Sequence, residues 1–292
     1  MANGIIIVDK PADWTSQDVT AKLRGVFHEK RIGHGGTLDP MATGVLPVFI
    51  GRATRAVEFM ESAEKEYIAG LRLGLTTNTQ DTTGEVLSEH SVDITKEQLL
   101  AVLPQFTGEI DQIPPMFSAV KIGGKKLYEL ARRGREIERK PRRITIHELE
   151  VIGEEHGDFL LRVRCSKGTY IRTLCHDIGA ALGCGGCMSS LRRTAAGQFA
   201  IPDAVPLAEI ISHPDPASLL MQVDSLFSDC PALHVRDAHT AKLKNGASVK
   251  DRTFADGTYR VYAENGEFLL LGRAESHTLT TIKSFFEVKD HD

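Results

Sequence analysis

Residues 33–47 read Gly-His-Gly-Gly-Thr-Leu-Asp-Pro-Met-Ala-Thr-Gly-Val-Leu-Pro and set four glycines and two prolines around one carboxylate, Asp39. The turn that holds Asp39 is almost without bulk. Glycine admits positive φ and the close approach of another chain, and Pro40 keeps Asp39 out of helical geometry. The stretch is a loop, and the apolar runs at residues 4–8 and 45–50 read as buried strands on either side of it. An aspartate before proline is also ordinary turn chemistry, because its side chain accepts a hydrogen bond from the backbone two residues on. The loop alone fixes local structure, not a role.

The elements around it follow from periodicity. Thr15-Ser16-Gln17-Asp18 has the capping-box pattern, and Val19, Leu23 and Val26 follow at helical spacing. Residues 52–60 read as a short helix. Tyr67, Ala69, Leu71 and Leu73 alternate with Ile68, Gly70 and Arg72, the period of a strand with one face on a core. Residues 76–84, rich in Thr, Asn and Asp, read as a loop, and Thr95 to Gln98 opens a second capped helix. Gly123-Gly124 marks a hairpin turn, with a helix over 128–133. Residues 144–152 and 159–165 read as strands, and 169–182 as a helix ending at Gly183. Four prolines between 202 and 216 make connectors near a boundary. Beyond Cys230 come a helix at 238–244 and strands at 259–263, 268–271 and 280–288.

Strands and helices mix without regular βαβ alternation. The fold class is therefore α+β: a mixed, largely antiparallel sheet flanked by helices and loops, plus a small β-rich C-terminal domain. A chain of 292 residues exceeds the usual single core, and the division falls at 1–229 and 230–292.

Bulk properties exclude several classes. The first ten residues carry only a short apolar run, and no stretch approaches the length of a membrane span, so the expected location is the cytoplasm, with no membrane partner. Five cysteines in a long chain make no disulfide framework, and Cys184-Gly-Gly-Cys187 lacks the second ligand pair of a zinc site. The net charge of −4 argues against indiscriminate nucleic-acid binding, yet ten basic residues and three acids between 121 and 143 make that segment +7. The remainder is then −11. Such a block is either a solvated face or a local phosphate-binding surface.

The glycines at 33–36 are not a dinucleotide fingerprint, and neither a Walker phosphate loop nor a Gly-x-Ser-x-Gly elbow occurs. Ser166-Lys-Gly-Thr-Tyr-Ile-Arg172 leads from a strand into a helix, where glycine and the first helical amides suit a phosphate. Alone, Tyr170 reads rather as a packing residue and Arg172 as a surface charge.

Taken in order, six segments resemble the bacterial TruB-type tRNA pseudouridine synthases. They are the run from Gly4 to Pro11, the Asp39 loop, Lys65-Glu66-Tyr67, the block from Pro114 to Arg132, Lys167 to Arg172, and Ser190-Leu-Arg-Arg-Thr194. The resemblance covers about the first two hundred residues; the C-terminal stretch resembles that family's small PUA-like RNA-binding module more weakly. It implies isomerisation of uridine to pseudouridine in the T loop of tRNA (position 55), on a pseudouridine-synthase-like fold, with residues 121–143 contacting RNA. Asp39 becomes the essential carboxylate, with Lys10-Pro11 supporting its loop. His34 helps extract and hold the uridine, Tyr67 stacks on the flipped base, Arg172 pairs with Asp39, and Tyr170 and Leu191 line the uridine pocket. The resemblance implies no cofactor, no metal and no guide RNA, a T-arm hairpin as partner, and a monomer. Two other readings remain open: an RNA-binding or RNA-folding role on the same scaffold, and a guide-RNA-dependent synthase similar to dyskerin.

The implied chemistry suits the residues. Breaking the uracil N1–C1′ bond resembles retaining glycoside chemistry, but the leaving group returns and must not be lost to water. One carboxylate in a dry pocket is then sufficient, and a nearby arginine favours its ionised form. A base inside a folded loop must first be flipped out, and an aromatic face can hold it.

Overall fold

The structure, a computed structural model, describes residues 2–286. Its main body is a ten-stranded sheet. Four strands carry the argument: β1 (Gly4–Lys10), β2 (Ile32–His34), β3 (Thr43–Ile50) and β4 (Lys65–Leu73). Across the sheet the order runs Val205–Pro206, β1, β3, Gly186–Ala196, β4, Asp158–Cys165, Arg142–Glu155 and Gly108–Gln112. Pairing is antiparallel except between β1 and Val205–Pro206 and between β3 and Gly186–Ala196. The mixed, mainly antiparallel sheet of an α+β fold is what the absence of βαβ alternation predicts.

Alternation along β1 and β3 sorts the core into two faces, because successive strand side chains point to opposite sides. Ile6, Val8, Leu46, Val48 and Ile50 join one cluster with Ala69, Leu71 and the apolar stripe of helix α1 (Ser16–Phe27). The helix Ile171–Ala181 buries Ile171, Leu174 and Ile178 in the same cluster. Ile5, Ile7, Val45 and Phe49 face the other way and share a cluster with Phe227, Leu271 and Phe285.

That second cluster joins the main sheet to a five-stranded sheet near the C-terminus, built from Ala232–Val235, Val249–Lys250, Gly257–Ala263, Phe268–Glu275 and Thr278–Ser284. Phe227 meets Phe59 edge-on at 5.0 Å and Phe285 at 5.8 Å, while Phe268 stacks on Phe285 at 5.4 Å. Each side chain of this kind contributes roughly 1.5–3 kcal/mol when fully buried. Tyr262 donates to Asp224 at 2.6 Å, and Lys283 pairs with Glu58 at 2.7 Å, so polar contacts seal the same seam.

Several elements differ from their sequence patterns. Residues 51–60 form a 3₁₀ helix, and the Thr-rich loop begins later than expected because Leu75–Thr77 pairs with Val86–Glu89. The short helix after the Gly-Gly hairpin is Leu127–Ala131. Of the strand expected to reach Val288, Thr278–Ser284 is seen, and residues 287–292 lie outside the described residues. The strand Gly186–Ala196 had no strand pattern in the sequence. Its Gly, Ser, Ala and paired arginines lack β-branched alternation, yet it lies between β3 and β4 at the middle of the sheet.

Candidate active site

The loop that carries Asp39 is held at nearly every peptide. Gly35 N–H donates to Pro47 O at 2.8 Å, and Ala42 N–H closes a turn onto Asp39 O at 3.0 Å. The capping box at Thr15 fixes the start of α1 and turns Ser16 toward the loop. There its Oγ accepts from Leu38 N–H at 2.8 Å and donates to Leu38 O at 3.2 Å. Lys10, fully buried at the end of β1, donates to Pro11 O, Trp14 O and Pro40 O at 2.8, 2.6 and 3.1 Å. Burial lowers its ammonium pKa from 10.5 to about 8, with Asp13 and Asp39 opposing that shift.

Arg193 holds the same loop from the opposite side. Its guanidinium donates to Val45 O (2.7 Å), Gly36 O (3.1 Å) and Thr37 O (3.5 Å). The strand Gly186–Ala196 runs parallel to β3 with Arg193 beside Gly44, which brings the guanidinium under the loop. Two buried cations and one hydroxyl therefore fix the backbone on both sides of Asp39. The sequence held a sign of this in Arg192-Arg193, but two adjacent arginines read as surface charge until the strand is known to be central.

Asp39 itself stays accessible, with 39% of its side chain exposed, while the Arg172 side chain beside it is 7% exposed. Arg172 Nε lies 2.9 Å from Asp39 Oδ2. Its Nη1 donates to Thr79 O at 3.0 Å and its Nη2 to Phe117 O at 2.9 Å. The expected pairing of Arg172 with Asp39 is thus present in the geometry, and the same guanidinium ties together the 78–84 loop and the root of the basic segment. A second carboxylate, Asp81, was not expected. Its Oδ2 is 3.7 Å from Arg172 Nε, while its Oδ1 accepts from Thr79 Oγ1, Thr83 N–H and Thr83 Oγ1. Threonines at 79 and 83 around an aspartate were the available signal, and they also describe any polar turn.

The remaining candidates fall around this pair. Tyr67 on β4 stands opposite Arg193, and Leu191 stands opposite Ala69 on the same pair of strands. Leu191 is buried and the half-buried Tyr67 packs against its cluster. Burial raises the Tyr67 hydroxyl pKa, with Arg193 opposing and Asp39 reinforcing that shift, so the phenol stays protonated at neutral pH. His34 on β2 pairs with Val48; its Nδ1 is buried without a hydrogen-bond partner, and burial, then Arg193, lower its pKa. His34 is therefore neutral at physiological pH. Tyr170 caps the helix Ile171–Ala181 and is half-buried. Gln112 accepts from Tyr170 N–H at 2.8 Å and donates to Tyr170 O at 3.0 Å, another contact that the sequence did not signal.

Residues 24–171 match the TruB family pseudouridylate synthase (N terminal domain). A tRNA pseudouridine synthase B of Clostridium kluyveri is 42% identical to this chain over 288 residues, covering 97% of this chain and 99% of that protein. The chain belongs to the TruB family. Two further TruB matches cover residues 172–222 (tRNA pseudouridylate synthase B C-terminal domain) and 231–279 (Pseudouridine synthase II TruB, C-terminal). A tRNA pseudouridine synthase B of an Azoarcus species is 45% identical over 281 residues, with 96% and 93% of the two chains covered. Among solved structures, a chain of a Cbf5–Nop10–Gar1 complex superposes with a TM-score of 0.72 at 28% identity, covering 97% of this chain and 85% of that one. His34, Asp39 and Tyr67 fall in the first TruB match, and Arg172, Leu191 and Arg193 in the second.

Proposed function

We propose that this chain isomerises uridine to pseudouridine in the T loop of tRNA, with Asp39 as the essential carboxylate. The observation that carries the reading is the Arg172–Asp39 pair at 2.9 Å on a loop clamped at residues 36, 37, 38 and 40. A carboxylate so placed is paired with a cation, accessible and unable to drift, which is what attack at an anomeric centre or removal of a ribose proton requires. Tyr67 offers its face to the detached uracil, neutral His34 holds the flipped nucleotide, and Tyr170 and Leu191 wall the pocket.

The body of residues 1–229 carries the chemistry in this reading, and 230–292 is an RNA-binding module. The basic segment 121–143 grips the backbone of the T arm. Its support is a small core of its own, Met116, Leu127 and Leu130, which lets a +7 surface stand out from an otherwise acidic chain. The chain acts as a monomer in the cytoplasm without a guide RNA.

The test is incubation of the purified protein with an unmodified T-arm hairpin and position-resolved mapping of pseudouridine. Conversion of one loop uridine by the wild type, and none by Asp39→Asn, is expected. Near-wild-type conversion by Asp39→Asn would sink the assignment. The resemblance to Cbf5 in its complex gives a guide-dependent synthase as second reading. It would be favoured if the hairpin were modified only after other components were added.

A further inference from the structure

Arg193 is 1% exposed, and the acceptors of its bonds to Val45, Gly36 and Thr37 are all neutral carbonyls. Among the described residues no carboxylate lies within salt-bridge distance of it. The two neighbouring arginines differ. Arg192 is paired with both oxygens of Asp9 at 3.1 and 2.8 Å, and Arg172 with Asp39. Around the loop, Arg172 is paired with Asp39 and Lys10 lies near Asp13 and Asp39, which leaves Arg193 as the buried cation without a carboxylate partner. Lys65 lies on the same side of the loop, since a side chain at Gly36 would meet Arg193 Nη1 at 3.5 Å and Lys65 Cε at 4.0 Å.

A buried charge without a counter-ion is costly. Clamping a loop does not require one, because the Ser16 hydroxyl does the same work at Leu38 with no net charge. The unpaired charge of Arg193 therefore suits a negative charge that is present only during the reaction.

The proposed isomerisation supplies that charge. When the N1–C1′ bond breaks, its electron pair leaves with N1. Asp39 gives up its own charge, either by bonding C1′ or by taking a ribose proton. The total is unchanged, but the negative charge has moved from the partner of Arg172 to the uracil ring, spread over N1, O2 and O4. C5 then joins C1′ with an electron pair from the ring, and Asp39 recovers its charge. Loss of the C5 proton and protonation of N1 complete the isomer. During the detached interval the ring rests against Tyr67, whose cross-strand partner is Arg193.

We propose that Arg193 is the electrostatic counterpart of the detached uracil anion as well as a clamp on the catalytic loop. This rests on the isomerase reading above. Its effect appears only after the bond has begun to break, so it lowers the barrier without tightening substrate binding.

Two variants separate charge from clamping. R193K keeps the charge and loses the planar fork; R193Q keeps carbonyl-directed donors and loses the charge. Wild-type conversion of the hairpin tests the reading beneath the proposal, and the ratio of the two variants tests Arg193. R193K keeps the charge but loosens the clamp and is expected to lose about tenfold in kcat, while R193Q is expected to lose about a hundredfold with KM little changed. In NMR titration the His34 imidazole pKa should stay low in R193K and rise in R193Q. Equal losses in the two variants, or R193Q with wild-type kcat, would overturn the proposal. If R193Q does not fold, R193K decides alone: a hundredfold loss of kcat in a folded R193K with His34 still low also overturns it.

Discussion

Arg172 places Nε 2.9 Å from Asp39 Oδ2 and spends its other nitrogens on the carbonyls of Thr79 and Phe117. The guanidinium is thus a fixed three-way joint and not a free counter-ion. Lysine keeps the charge but cannot span these partners. Arg172→Lys is expected to lower kcat by about a hundredfold, since a preorganised charge of this kind has that scale. Two carbonyls losing donors should cost roughly 1–3 kcal/mol of stability. Turnover on the T-arm hairpin, alongside urea unfolding, checks both; wild-type kcat would show that the joint does not act on Asp39.

Asp81 shares Arg172 with Asp39 at a longer 3.7 Å. Asp81→Asn keeps an acceptor for Thr79 and Thr83 while removing a negative charge. Arg172 then draws wholly onto Asp39 and makes its carboxylate less available. A fall in kcat of about tenfold, or 1.4 kcal/mol in barrier, is expected with the fold intact. Unchanged single-turnover rates would mean that the second carboxylate only braces its loop.

Lys10 gives a pH signature. Its folded pKa of about 8 lies below the ordinary lysine value of 10.5. Between those values the unfolded chain holds more protons, so this group favours the folded state increasingly as pH rises. Activity moves the other way. The ammonium has three N–H donors for three carbonyls, and the amine has two, so deprotonation releases one contact beside Asp39. The expected result is a kcat that declines through about pH 8 with no matching loss of stability from this group. Parallel measurement of kcat and thermal midpoint across that window checks it, and a kcat that stays flat through it would refute the link.

Much of this was legible in the sequence, and the division follows local against long-range information. The two capping boxes at Thr15 and Thr95, the Asp39 loop and the alternation in β4 are patterns within a few residues, and all appear in the structure. Arg193, Asp81 and Gln112 could not be assigned because their roles depend on partners distant in sequence: Gly36 for Arg193, Arg172 for Asp81, Tyr170 for Gln112. The strand that carries Arg193 was missed for a related reason. A strand enclosed in the sheet on both edges takes its stability from its neighbours, so it can tolerate Gly, Ser and paired arginines of low intrinsic β preference.

Gly44 offers the sharpest test of how the loop is seated. Its φ is +98°, and a Cβ there would stand 2.2 Å from Arg193 O, with Arg193 C and N both at 3.0 Å. These are backbone atoms of a central strand in parallel register with β3, so they cannot swing aside. Gly44→Ala must part the two strands, tilt Arg193 off Gly36 and Thr37, and strain its own backbone. A loss of about 3 kcal/mol or more is expected, in the range that marks core disruption. Gly168→Ala is the control: its φ is +80°, but nothing lies within 4 Å of the added methyl. That change should cost only about 1 kcal/mol, the strain of the left-handed conformation. Urea unfolding of both variants gives the comparison. Similar losses at the two positions would mean that the parallel contact at Gly44 does not bind the Asp39 loop to the sheet.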